Sequence, residues 1–442
     1  MTVHSIDGEV WKTKLERIEK LAKEDKETVF NNLGYLITEE SMKDTYRRMD
    51  GSKATGIDGI TKEKYGRKLE GNIKSLIERI RRGSYHPKAA RITEIPKEDG
   101  STRPLTISCF EDKLVQEEVN KILTAIYEPM FLPCSYGFRE NHSCHEALRI
   151  LMKEVNRRKD GAVVEIDIRK CFNRIPHKPL REMLAKKISD KGFLELVEEL
   201  IKTPIIEDGK EKINREGCLQ GSIISPILAN IYLHYVIDEW FEELKKTYFQ
   251  GKNVMVRYAD DMVFIFENYE EAKRFYAVLP KRLSKYGLEM NNEKSQLVRS
   301  GEMVAINAEE KQERIGTYKF LGFQCYWGKS QDGRWRLKYK SRADRFRTTL
   351  GRLKEFLRKN LNTGKSGIIL ERTVLKVKGW LNYHAISDNE RRVKSFLFES
   401  RRIIYSWYNR RGKKNAMTWE HLQEILDRVG FPKIFKTVSM FC

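Results

Sequence analysis

Two short apolar arms, VMVRY (254–258) and MVFIF (262–266), meet at Ala259-Asp260-Asp261. Such arms read as buried strands, so the join carries two adjacent carboxylates at a turn. An Asp-Asp pair in a turn is, taken alone, an ordinary solvated cap. Between two buried arms it stands at a sheet edge, where like-charge repulsion is costly unless a cation is near. A third carboxylate, Asp167, closes another apolar run, GAVVEIDI (161–168), whose Gly start and β-branched core also read as a buried strand. Three carboxylates on neighbouring strand ends suit two Mg²⁺ ions, which prefer oxygen ligands. Such ions, roughly 3.5–4 Å apart, can activate a hydroxyl and stabilise a leaving pyrophosphate.

The remaining pattern is mixed. Residues 10–50 are polar and helical in character. Leu69, Ile73, Leu76, Ile77 and Ile80 repeat at helical spacing up to Gly83. Two runs flank Asp99-Gly100, a hairpin signal, with Lys97 and Arg103 beside the turn. Segments 111–127, 143–158 and 273–288 read as helices, the last despite Pro280, and 317–327 with 334–339 as a further hairpin. Beyond residue 340, Phe346, Leu350, Leu353 and Leu357 form one helical stripe, and Leu370, Val374, Val377 and Leu381 another.

Charge is divided unevenly. Residues 329–442 hold 28 Lys and Arg against 10 Asp and Glu, whereas the other 328 residues hold 56 against 53. Nearly all of the formal charge of +21 therefore sits in the last quarter, where it is interleaved with Trp and Tyr. That asymmetry marks a polyanion-binding module, and the spread over many residues suits nucleic acid better than a membrane surface. No apolar run approaches the roughly 18–20 residues of a membrane span, and the N-terminus lacks a signal-peptide core. Seven single cysteines without a C-x-x-C pair read as free thiols, so a cytoplasmic location is expected. His142, Cys144 and His145 are close in sequence, but no fourth ligand stands nearby and a zinc site is not expected.

Eight blocks of this chain, in order, resemble the reverse transcriptases encoded by bacterial group II introns and their free-standing relatives. They are GIDGITKEKY (56–65), IPKEDGSTRPL (95–105), SYGFRENHSCHEAL (135–148), EIDIRKCF (165–172), CLQGSIISPILANIYLHYVID (218–238), RYADDMVFIF (257–266), GLEMNNEKS (287–295) and FLGF (320–323). The resemblance implies an α+β right-hand polymerase fold: fingers with an N-terminal extension in 1–160, a palm with an antiparallel sheet in 161–330, and a basic helical thumb and maturase-type region in 331–442. It implies RNA-directed DNA polymerase activity with an RNA template, a DNA primer, dNTP and two Mg²⁺ ions. Group II intron RNA is a further expected partner.

By the same resemblance Asp167 and Asp260 are the principal metal ligands, with Asp261 adjacent and the carbonyl of Ile168 completing a site. Lys97 and Arg103, otherwise solvated charges beside a turn, are assigned to the triphosphate. Phe172, otherwise an ordinary core ring at a strand-to-helix junction, is set against the sugar 2′ position. Gln220 matches the loop abutting the nascent pair, although Leu219 stands where relatives commonly carry Pro. Lys294 matches a Lys near the leaving pyrophosphate; the residue pattern alone leaves it equally a solvated charge. Leu321, Gly322 and Phe323 match the hairpin that grips the primer end. Arg410, Arg411, Lys413 and Lys414 are the candidate RNA contacts of the tail, whereas Trp380 and Trp407 read as core residues. No cysteine pairs or His-rich nuclease motif follow, so no endonuclease domain is expected. Two rival roles share these residues: an RNA chaperone for a folded intron without enzymatic activity, and a host-adapted reverse transcriptase, for instance in phage defence.

Overall fold

The computed structural model describes residues 6–96, 102–207, 209–360, 366–411 and 416–441. It divides into two compact units. The first comprises Met1–Ser143, Ile166–Met262 and Lys273–Ser295, and the second Cys144–Glu165, Val263–Ala272 and Gln296–Cys442.

In the first unit, the helix Leu69–Arg81 buries Ile73, Leu76 and Ile77 on one face, at the spacing an amphipathic helix requires. The hairpin signal is met by Ala90–Pro96 and Thr102–Ile107, antiparallel with Ile95 opposite Arg103. These strands extend through Ile205–Glu207 and Lys210–Lys212 into a four-stranded sheet. The long helix Phe110–Tyr127 buries twelve of its residues, polar Asp112, Gln116 and Glu118 among them. A helical rod runs from Ser225 to Thr247, interrupted by a π turn at His234–Asp238. Its first part, Ser225–Asp238, is apolar and buried almost all round, whereas Glu239–Thr247 buries only Phe241.

The carboxylate-bearing sheet has the strand order Val254–Tyr258, Asp261–Phe266, Gly161–Ile166, Gln296–Ser300. The last two are antiparallel, from Gly161 opposite Ser300 to Glu165 opposite Gln296. Helix Tyr269–Lys285 passes through Pro280.

In the second unit, Tyr318–Phe320, Phe323–Lys329 and Trp335–Ser341 form a three-stranded antiparallel sheet. Helices Ala343–Lys359, Ser366–His384, Glu390–Tyr408 and Trp419–Arg428 share one core. Both apolar stripes enter it: Phe346, Leu353, Leu357, Leu370, Val374, Val377 and Leu381 are buried, and Leu350 packs against them. Trp380 lies in the same core, stacked on Phe396 with centroids 3.8 Å apart, and Trp407 packs on its flank.

Candidate active site

The hairpin tip turns because Ala259 adopts a left-handed backbone, φ 57°. That conformation is costly for a residue with a Cβ, so something must hold it. The holder is Arg257, fully buried in an otherwise apolar arm. Its Nε donates to Asp238 Oδ1 at 2.7 Å and its Nη2 to Asp238 Oδ2 at 2.5 Å. Its Nη1 donates to Asn230 Oδ1 at 3.0 Å and to the carbonyl of Ala259 at 3.2 Å. A buried guanidinium requires such a fork of partners. The π turn of the helical rod ends on Asp238, so the distorted turn lies where the clamp is anchored.

A second element presses on the same tip. Ser135 bridges to Arg257, and the Tyr136 N–H donates to the Arg257 carbonyl at 2.8 Å. This brings Gly137 so close to Ala259 that a Cβ would overlap the Ala259 nitrogen. Asn230 Nδ2 completes the lock by donating to the Gly137 carbonyl at 2.7 Å. None of Arg257, Asp238, Asn230 or Gly137 was among the candidates from sequence. The available signal was a lone Arg inside a buried strand, which must find a carboxylate elsewhere.

Asp260 is half-buried, Asp261 begins the next strand and is exposed, and Asp167 is half-buried just beyond Gly161–Ile166. Burial pushes the Asp260 carboxyl above the usual range and the charge of Asp167 adds to this, while Arg103 and Arg257 pull it back. Asp167 is oriented by Asn291, whose Nδ2 donates to Oδ2 at 2.8 Å, and its N–H donates to Ser295 Oγ at 3.1 Å. The Asn291 N–H donates to the Asp167 carbonyl at 2.9 Å, and neighbouring Ile168 is buried and bridged to Met290. Among the described residues, no group of three or more His, Cys, Asp or Glu side chains is gathered closely enough to hold a metal ion. What the fold brings together is the pair Asp167 and Asp260. Two mutually repelling carboxylates, all oxygen donors, are the donor chemistry that a hard divalent cation takes.

Around this pair, Arg103 is exposed on its strand, with its charge acting on Asp260. Lys97 lies outside the described residues. Phe172 is half-buried in the short helix Cys171–Arg174, and its carbonyl accepts the Cys218 N–H at 2.6 Å. That bond ties Phe172 to the loop bearing Gln220, whose carbonyl accepts both the N–H and the hydroxyl of Thr106, at 2.7 and 2.9 Å. Gly221 has a φ of 110°, and a Cβ there would overlap the Thr106 carbonyl. Gln220 Oε1 is buried without a hydrogen-bond partner among the described residues. Lys294 is exposed.

The second unit holds the remaining candidates. Leu321 and Gly322 turn between two strands with φ of 44° and 81°. Tyr383 Oη donates to the Leu321 carbonyl at 2.6 Å, and Phe323 stacks on Tyr383 with centroids 5.7 Å apart. His145 Nε2 meets the Tyr383 carbonyl at 2.8 Å. Arg410 is exposed, while the side chain of Arg411, and Lys413 and Lys414 entirely, lie outside the described residues.

The family model described as Reverse transcriptase (RNA-dependent DNA polymerase) matches residues 95–325. The Group II intron-encoded protein LtrA of Lactococcus lactis subsp. cremoris is 37% identical over 235 residues, 52% of this chain and 38% of that protein. An uncharacterized 91 kDa protein in the cob intron of Schizosaccharomyces pombe is 33% identical over 270 residues, 60% of this chain and 32% of that protein. An apo telomerase structure from Candida Tropicalis, truncated from the C-terminal domain, aligns with a TM-score of 0.42 at 17% identity, covering 54% of this chain and 53% of that one. The match thus spans well under half the length of those two curated relatives. No helix among the described residues is long and apolar enough to cross a membrane. Divalent metal ions and a nucleic-acid template and primer are what the matched family works with. With more than half of its residues inside that family model, this chain, of the α+β right-hand polymerase class, belongs to the reverse transcriptases.

Proposed function

We propose that the chain copies RNA into DNA, adding deoxynucleotides to a DNA primer with two Mg²⁺ ions held by Asp167 and Asp260. Asp261 and the carbonyl of Ile168 complete the donor set. The observation that carries this reading is the pairing of Asp167 with half-buried Asp260, whose carboxyl is raised by burial and by its neighbour. Two such anions are held together at a cost that a bound cation would relieve. When bound, the ions supply a lowered pKa at the primer 3′-hydroxyl and charge stabilisation at the leaving pyrophosphate.

The protein's own groups do the rest. Arg257 and Asn230 fix the tip that carries Asp260, and Asn291 fixes Asp167. Arg103, with Lys97, binds the triphosphate; Lys294 donates a proton to the pyrophosphate. Phe172 closes the space at the sugar 2′ position, and the loop of Gln220, whose Oε1 has no partner among the described residues, abuts the nascent pair. Leu321, Gly322 and Phe323 hold the primer end. The basic tail, including Arg410, Arg411, Lys413 and Lys414, holds the RNA backbone through phosphate contacts. The chain's similarity to intron-encoded relatives extends the reading to group II intron RNA as a partner in splicing and mobility. The buried thiols Cys109, Cys171, Cys218 and Cys325 suit a reducing cytoplasm.

The test is extension of a DNA primer on an RNA template by wild type and by Asp167→Ala. Wild type should extend in Mg²⁺, and the variant should fall by more than about a hundredfold, given what metal electrostatics supply. Extension by the variant near the wild-type rate would remove Asp167 from the site.

A further inference from the structure

Phe138 is a large aromatic residue in a backbone conformation such residues rarely adopt. Its φ is 58°, in the left-handed region, and it is 58% exposed. Burial does not compensate for that conformation, so its neighbours must impose it. On one side, Gly137 is pressed against the backbone of Ala259 and its carbonyl is held by Asn230. On the other, Arg139 is pinned: Nε donates to Glu128 at 2.8 Å, and Nη1 to the carbonyls of Leu132 and Ser135 at 3.2 and 2.6 Å. Between these fixed points the Phe138 ring stands edge-to-face with Phe172, centroids 6.4 Å apart and planes at 89°. This is the preferred T-shaped arrangement, in which a ring edge meets a ring face.

We infer that Phe138 is a positioning residue for deoxynucleotide selection, pinning the Phe172 ring in the orientation that closes the space a 2′-hydroxyl would need. The inference rests on the reading of Phe172 as the sugar gate. A half-buried ring can swing unless something outside the core braces it, and a gate that swings admits ribose. Phe138 is that brace. A strained, exposed aromatic kept beside a selective pocket is the arrangement in which backbone strain serves function rather than packing. Because Gly137 is packed on the tip that carries Asp260, the same segment that sets the gate also touches the carboxylate turn.

The test is single-nucleotide extension with matched dNTP and rNTP on wild type, Phe172→Val, Phe138→Gly and the double variant, with thermal unfolding measured in parallel. Glycine takes up a positive φ without penalty, so Phe138→Gly should unfold no earlier than wild type. Its dNTP-over-rNTP preference in kcat/KM should fall roughly 3- to 10-fold. Phe138→Asn, which also tolerates left-handed backbone, should show the same fall. Since Phe138 acts through Phe172, the double variant should lose no more preference than Phe172→Val alone. If Phe172→Val lowers the preference while Phe138→Gly leaves it at the wild-type value, or if the two losses simply multiply, the brace is overturned and the gate stands. If Phe172→Val leaves the preference unchanged, gate and brace fall together.

Discussion

The turn at Ala259-Asp260-Asp261 and the turn at Leu321-Gly322-Phe323 both bend through left-handed backbone, and each has a carbonyl held by a side chain, from the adjoining arm at the first and from a distant helix at the second. At the first, the holder is a charged fork, Arg257 on Asp238, with both side chains fully buried. At the second, it is the neutral phenol of Tyr383, set in a stack with Phe323. The difference follows what each turn carries. Asp260 bears an anion in a half-buried position, and a buried guanidinium within reach lowers the cost of keeping it ionised. The Leu321-Gly322-Phe323 turn bears no charge, so hydrogen bonding and ring contact suffice. One turn is therefore sensitive to charge, the other to packing.

The largest expected effect lies at the charged clamp. Arg257→Ala leaves Asp238 buried without its guanidinium, and should destabilise the fold by about 3–5 kcal/mol in urea unfolding. Arg257→Lys keeps the charge but loses the fork, so it should fold while extension drops on the order of a hundredfold through a displaced tip. If Arg257→Lys extends primers like wild type, the clamp is structural only.

A smaller effect is expected on acidification of the neutral region. His384 sits beside Phe323, stacked on Trp380, with Nδ1 2.9 Å from Ser341 Oγ. Burial holds its imidazole down at about 4, with the nearby charges of Arg345 and His145 adding to this. The unfolded chain takes up this proton near 6.5 and the folded chain does not. Stability from this group is thus complete above pH 6.5 and is lost as pH falls towards 4, by on the order of 3 kcal/mol. Unfolding midpoints across that range should slope less in His384→Gln; an identical slope would show that His384 is not the group responsible.

The smallest effect belongs to Tyr383→Phe. The rings stay stacked, but the Leu321 carbonyl loses its donor, at a cost of about 1 kcal/mol. The KM for primer–template should rise a few-fold with little change in kcat. A fall in kcat with constant KM would place Tyr383 with the carboxylate turn instead.

Much of this division is visible in one dimension. The strand arms, the Asp99-Gly100 hairpin signal and the helical stripes after residue 340 are periodic, and periodicity is a local property. The acidic turn was recognisable because two carboxylates between apolar arms conflict with burial. What was not legible depends on distant partners. Arg257 finds Asp238 nineteen residues earlier, at the end of a π turn that no spacing rule indicates. The strain at Phe138 arises from Gly137 meeting Ala259, a contact of backbones rather than of residue types. The sequence sets the three aspartates at strand ends but does not show their surroundings: the charge of Asp167 acts on Asp260, and Asp261 is exposed at the start of its strand.

In the function proposed above, the carboxylate turn performs synthesis while the basic tail holds RNA. Asp260→Asn keeps the shape of the side chain and removes its charge, so one preparation can be assayed for RNA-templated extension and for RNA affinity at several salt concentrations. Extension should fall by more than about a hundredfold, with RNA affinity and its salt dependence equal to wild type. Extension that persists near the wild-type rate in Asp260→Asn would contradict that function.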